Sequence, residues 1–325
     1  MNIISLLCIR TTVSPADNSA FRSLAEEKAV KPSTILPLSN GEQVGVCGLT
    51  IKVTTEQSSF PDEGTTIAEE RASAEACVAD LVSQGVNKIV LLTHVGNSGD
   101  QAFFGDLADV DVVIGGHSHS LLGGEDFTQL GFPTRGPYAE LVNGKCIVTA
   151  WEYLRVLGEL IVDFDADGVV TACSGSASIN INPDRYTVRD ADPRFDLEAA
   201  DAAIMTDFLV NQVSNSPFVN AGEDADMIDL LEPYVTGRDA AGQEVIGSAA
   251  ENICHTYSEQ DPLCPERNVT NCLSGGVCNL VAQGFLFNVP SADIAIQNRG
   301  GCRTDILAGD VRLQDAFEIL PFANT

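Results

Sequence analysis

The sequence predicts an α/β fold, and three observations carry that reading. Two apolar runs, "NKIVLLTH" and "DVDVVIGGHSH", are uninterrupted in the way of strands covered on both faces. Helix-forming stretches alternate with these runs, so that residues 34 to 119 read βαβαβ, the pattern of a parallel or mostly parallel sheet. Three of the four histidines directly follow the predicted strands. With 44% hydrophobic and 20% charged residues, the 325-residue chain has the composition of a folded protein and the length for two domains, each with its own core.

Residues 34 to 53 read as two short strands around a turn at Asn40-Gly41, the second apolar enough to be buried. Residues 66 to 84, "TIAEERASAEACVADLVSQ", carry helix formers throughout, apolar residues at Ile67, Ala74, Cys77, Val78 and Leu81, and Gly85 at the stop. A buried strand ending at His94 follows. A short helix around residues 101 to 108 then leads to the strand that runs into Gly115 and Gly116. Further on, "DPRFDLEAADAAIMTDFLVNQVSNSPFVNAGEDADMIDLL" is acidic and helix-prone and reads as an interdomain connector. No internal repeat or low-complexity tract stands out.

Open α/β sheets place ligands at the carboxyl edge of their strands, and this topology puts His94, His117 and His119 there. On an extended segment, residues two apart point the same way, so His117 and His119 would face one site, with Gly115 and Gly116 letting the chain turn ahead of them. Imidazole is the commonest nitrogen ligand of divalent transition metals, which makes the three candidate metal ligands. Taken singly, each could be a loop histidine bonded to backbone. His255, beside Cys254, has no comparable context and reads as a surface or loop residue.

The balance of 46 acidic against 18 basic residues, a net charge of -28, repels phosphate backbones and anionic lipid, and so argues against nucleic acid polymers and membranes as partners. Ten cysteines are many for a cytosolic enzyme. The spacing of Cys254, Cys264, Cys272, Cys278 and Cys302 does not match a structural zinc site, so disulfides in an oxidising compartment fit better, with connectivity open and free buried thiols as the alternative. Asn268 in "NVT" is a glycosylation sequon, meaningful in a secreted chain. No signal peptide is read at "MNIISLLCIRTTVSPADNSA", where no basic residue precedes a very short apolar run, and no stretch is long and apolar enough to span a bilayer.

"KIVLLTHVG" followed by "DVDVVIGGHSHSLL" resembles the second half of the calcineurin-like metallophosphoesterase domain, in the branch of 5'-nucleotidases and UDP-sugar hydrolases. "IAIQNRGGCRTDILAGDVRLQDAFEILPFANT" looks like the opening of the nucleotide-recognition domain of those enzymes, and "LEPYVTGRDAAGQEVIGSAAENI" is similar to its first strand. The resemblance implies the C-terminal part of a metallophosphoesterase α/β sandwich over 1–190, a helical linker over 191–231, and the N-terminal part of an α+β 5'-nucleotidase C-terminal domain over 232–325. It implies two divalent ions of the Zn, Mn, Mg or Ca class, with His94 and His117 on one and His119 on the other. Asn298, Arg303 and, by a looser alignment, Arg267 match side chains that hold the nucleotide; Phe322 matches a ring that stacks on the base. On residues alone, Gly300-Gly301 reads as a tight turn after a buried strand, with Asn298 capping it and Arg303 solvated, and Phe322 reads as core.

The family's Asp-x-His, bridging Gly-Asp and Gly-Asn-His-Asp/Glu motifs are absent, the last with its catalytic histidine, so no catalytic residue is assigned; Gly105-Asp106 lies in the wrong place. The resemblance therefore implies a chain truncated at both ends, the middle of an extracellular, periplasmic or cell-surface nucleotide phosphohydrolase. The alternatives are a degenerate, non-catalytic binder of metal or nucleotide, or the sister reactions on cyclic nucleotides or UDP-sugars. Oligomeric state is not legible.

Overall fold

The computed structural model describes residues 12–14, 30–58, 61, 63–182, 187–188, 195–196, 199–255, 264 and 276–321. They divide into two compact units, one built on 1–181 with 205–220 and the other on 182–204 with 221–325.

In the first unit, β1 (Ser33–Pro37) and β2 (Gln43–Thr50) pair antiparallel across the predicted turn, closed by Leu38 N–H to the Glu42 carbonyl and by Gly41 at φ 88°. Helix α1 (Glu70–Ser83) starts later than its helix formers, because Thr66–Ile67 is held as a strand against Val13–Ser14. Gly85, at φ 84°, ends it as expected. The strand β3 (Ile89–His94) follows, then helix α2 (Asn97–Phe104). This helix lies four residues earlier than predicted: Gly96, at φ 94°, turns the chain directly out of β3, and Asp100 N–H closes the first turn onto the Gly96 carbonyl.

Strand β4 (Val112–Gly115) is followed by β5 (Glu140–Val142) and β6 (Lys145–Thr149). The sheet order is β1-β2-β3-β4-β6-β5. Its four central strands run parallel and its two edges are antiparallel, the mostly parallel α/β sheet expected. Leu81, Ile89, Leu91, Phe104, Val113 and Ile147 are fully buried between this sheet and its helices. A second sheet pairs β7 (Val156–Phe164) with β8 (Val170–Asn180) antiparallel, and β9 (Phe218–Val219) joins β8 in parallel. The stretch read as a helical connector is thus helical at Ala199–Asp207 but contributes a strand at β9, where Phe218 packs on Phe132 and Ile179 N–H bonds the Pro217 carbonyl.

In the second unit, Asp224 caps α3 (Ala225–Gly242) by accepting from Met227 N–H at 2.9 Å. The segment compared above to a first strand is helical up to Gly242, and its strand is confined to β10 (Val245–Ala249). Antiparallel to it runs β11 (Gly309–Arg312), and α4 (Gly276–Asn288) and α5 (Leu313–Ile319) pack Val277, Ile306 and Ile319 into a small core.

Four disulfides join described cysteines: Cys47–Cys77 ties β2 to α1, Cys146–Cys173 ties β6 to β8, and Cys254–Cys264 and Cys278–Cys302 lie in the second unit. This agrees with the expected cystine chemistry and resolves pairings that spacing had left open. Among the described residues, no helix is long and apolar enough to cross a membrane.

Candidate metal and nucleotide site

Strands β3, β4 and β6 run parallel and end at one edge, and the segments leaving them build the candidate site. β3 delivers Thr93 and His94. β4 delivers Gly115 and then Gly116, His117, Ser118 and His119. β6 ends at Thr149 and runs into Trp151, Glu152 and Tyr153.

His117 and His119 are not on an extended segment. Their φ angles are 73° and 51°, in the left-handed region, so alternation along a strand does not decide where they face. Instead the His117 ring meets that of His94 edge to face, with centroids 5.1 Å apart. His119 turns towards the segment after β6, where its Nδ1 lies 2.9 Å from Glu152 Oε2 and its ring 5.1 Å from that of Tyr153. Trp151, Tyr153 and Leu154 also hold φ angles of 57°, 50° and 60°. Left-handed non-glycine residues cost about 1 kcal/mol or more each, and such strain collects at functional sites.

Buried polar groups lie on the strands and helix that carry this edge. Asp100 is fully buried, Thr93 Oγ1 donates to one of its oxygens, and the other oxygen has no partner. Desolvation pushes the Asp100 carboxyl up to about 7, against the smaller opposing effect of the Thr93 bond. Asn97 Oδ1 and Thr149 Oγ1 are likewise buried without partners. Both glycines before His117 are there for space: a Cβ on Gly115 would strike the Asp100 carboxylate, and one on Gly116 would lie 3.1 Å from His94 Nδ1. Asn97 N–H donates to Ser118 Oγ at 3.0 Å, fastening the histidine loop to the start of α2. Desolvation, followed by the charges of His117 and His119, holds His94 below the usual imidazole pKa, so that it is neutral with a lone pair to offer near pH 7.

The spacing of the His94 and His117 rings is compatible with a shared divalent cation, whereas among the described residues the three histidines do not gather their nitrogens within 4.8 Å of one another. A metal about 2 Å from an imidazole nitrogen lies about 3 Å from the ring centroid, so two such ligands at the tetrahedral angle have centroids roughly 5 Å apart. The His94–His117 spacing of 5.1 Å meets that condition. Elsewhere, Cys254, Cys264 and Asp305 bring potential ligand atoms within 4.8 Å of one another, but the two sulfurs are spent in a disulfide.

Residues 245–325 match the family described as 5'-nucleotidase, C-terminal domain. Over 310 residues the chain is 31% identical to a probable 5'-nucleotidase of Treponema pallidum, a match covering 91% of this chain and 50% of that protein. Residues 245–325 belong to the 5'-nucleotidase C-terminal domain family. Among solved structures it is similar to a 5'-nucleotidase precursor of Thermus thermophilus, with a TM-score of 0.66 at 28% identity, covering 98% of this chain and 53% of that one. The NAD nucleotidase of Haemophilus influenzae has a TM-score of 0.66 at 26% identity, covering 97% and 55%. The chain spans about half the length of the Treponema pallidum and Haemophilus influenzae proteins it matches.

Asn298 and Arg303 belong to the second unit. Asn298 is exposed and its carbonyl accepts from Gly301 N–H at 3.0 Å, closing a 3-10 turn over Arg299–Gly301. The residues before it form no strand, and Ile294 and Ile296 are exposed, so the turn does not follow the buried strand expected. Arg303 is half-buried, its backbone N–H bonded to the Ile319 carbonyl. Arg267, Asn268 and Phe322 lie outside the described residues. His255 is in a loop, as expected, with its N–H donating to Asp305 Oδ1 at 2.7 Å.

Asp100 and Glu152 were missed in the sequence. Asp100 was signalled by "HVGNSGD", a turn leading from the His94 strand into a helix. Glu152 was signalled by "KCIVTAWE", a further buried strand whose end falls on the same sheet edge.

Proposed function

We propose that this chain supplies three histidines of a two-metal centre and part of the nucleotide site of a phosphohydrolase that splits nucleoside 5'-monophosphates into nucleoside and phosphate. The observation that carries the reading is the His94–His117 pair, spaced for a shared cation at the carboxyl edge of the sheet. Similarity to a probable 5'-nucleotidase over most of the chain supports the substrate class. In this reading residues 1–190 are the C-terminal part of a metallophosphoesterase domain, 191–231 a linker, and 232–325 the opening of the nucleotide-recognition domain.

When bound, the two ions supply Lewis-acid activation of the phosphate ester and of the attacking water. His94 and His117 would hold one ion through ring nitrogens, and His119 would hold the second. Arg303 and Arg267 offset the nucleotide's negative charge, Asn298 bonds it, and Phe322 stacks on the base. No residue matches the family's catalytic histidine, so the chain alone is expected to turn over little substrate. Four disulfides support an extracellular, periplasmic or cell-surface setting for the intact protein. Cyclic nucleotides and UDP-sugars are alternative substrates of the same donor set. The missing motifs favour, as a second reading, binding without hydrolysis.

Calorimetric titration with Mn²⁺ or Zn²⁺, together with phosphate release from AMP, tests this. The expected result is metal binding lost in a His94→Ala/His117→Ala variant, with little turnover. Metal binding unchanged in that variant would overturn the site. Robust AMP hydrolysis abolished by His117→Ala would overturn the view that this chain needs further residues for chemistry.

A further inference from the structure

We propose that Glu152 is a positioning residue for His119: it accepts the Nδ1 proton of the imidazole and so fixes the tautomer that turns the Nε2 lone pair towards the site. The inference rests on the reading of His119 as a metal ligand, and it concerns how this chain prepares that ligand.

Three observations carry it. The Glu152 side chain is largely buried at 20% exposure, and its Oε2 lies 2.9 Å from His119 Nδ1, a hydrogen-bonding distance. A carboxylate can only accept there, so the approach favours the tautomer with its proton on Nδ1 and its lone pair on Nε2. The other oxygen, Oε1, accepts from Arg155 Nη1 at 2.8 Å, and Arg155 N–H closes a turn on the Glu152 carbonyl at 3.0 Å. The carboxylate is thus held from its own side of the loop before it meets the histidine.

The backbone around the pair is also held. Trp151 N–H donates to the Ser120 carbonyl at 3.1 Å, tying the Glu152 segment to the residue after His119. The Arg155 guanidinium lies over both the Trp151 and Tyr153 rings, at 5.5 and 5.6 Å from their centroids, and Tyr153 in turn meets the His119 ring. The left-handed angles at His119, Trp151 and Tyr153 are the conformational cost of bringing two loops from different strands to this contact. Carboxylate-oriented imidazole is a general way to set a metal ligand, and loss of such a partner typically weakens metal affinity 10–100-fold.

The test uses the whole chain and has two independent readings. In the first, ¹⁵N NMR of the metal-free protein at about pH 8, above the usual imidazole range, reports the His119 tautomer. We expect wild type to show the Nδ1–H form, Glu152→Ala to shift towards the Nε2–H form that dominates in free imidazole side chains, and Glu152→Gln to retain part of the wild-type state because its amide oxygen still accepts. An Nε2–H tautomer in wild type, or a tautomer unmoved by Glu152→Ala, overturns the proposal. In the second, Co²⁺ is titrated and followed by its visible absorption. The expected result is a 10–100-fold weaker second binding step in Glu152→Ala with the first step unchanged; equal affinities overturn the proposal while leaving the metal reading intact. If wild type takes up no Co²⁺, the metal reading fails by itself, and the tautomer still decides whether Glu152 sets His119.

Discussion

The His94 and His117 rings meet edge to face 5.1 Å apart, and Gly116 is what lets them, since a Cβ there would lie 3.1 Å from His94 Nδ1. A contact that tight is relieved only by moving the ring a few tenths of an ångström. Gly116→Ala is therefore expected to weaken metal binding on the order of tenfold, as loss of ligand alignment does, while the chain stays folded. Calorimetry with Zn²⁺ beside a circular-dichroism melt checks both halves of this expectation.

In the proposed site, His117→Ala removes a ligand rather than misaligning it. Metal affinity should fall by more than the roughly 100-fold upper range for a supporting contact. The exposed ring carries little packing, so the melting temperature without metal should hardly change. A large loss of stability without metal would mean that the histidine is a structural residue.

Asp100 predicts a pH dependence of stability. Its folded pKa is raised by burial to about 7 from an unfolded value of about 3.9. Between these values the folded state holds a proton that the unfolded state has released, so this group makes stability fall as pH rises from about 4 to about 7. Asp100→Asn keeps the shape that fits against Gly115 and removes the titration. Urea denaturation at about pH 5 and about pH 7 should show a smaller difference in the variant than in wild type; an equal difference would assign the effect elsewhere.

The disulfide Cys146–Cys173 joins the parallel sheet to the β7–β8 hairpin across 27 residues of chain. Loop-closure entropy assigns such a link about 3 to 4 kcal/mol. The double variant Cys146→Ser/Cys173→Ser should therefore lower the urea midpoint, and added reductant should lower the wild type in the same direction.

Much of the first unit was legible in residue order. The apolar run of Ile89–His94, the apolar face of α1 and the turn at Asn40-Gly41 are local patterns, and local patterns select helix, strand and turn without knowledge of the remainder of the chain. The placement of three histidines at one sheet edge followed from strand direction alone. By contrast, the start of α2, the strand Phe218–Val219 and the helical course up to Gly242 depend on hydrogen bonds and packing partners that neighbouring residues do not encode.

The sequence by itself thus determined an α/β sheet with His94, His117 and His119 at its carboxyl edge, cysteines for an oxidising compartment, and likeness to 5'-nucleotidases. Only the tertiary structure decided that His117 pairs with His94, that His119 meets Glu152, and that Asp100 lies buried against Gly115. The reason is that side-chain alternation predicts direction only while the backbone stays extended. After Gly116 the chain turns left-handed, and where each ring then points is set by the loops from β3 and β6 that it packs against.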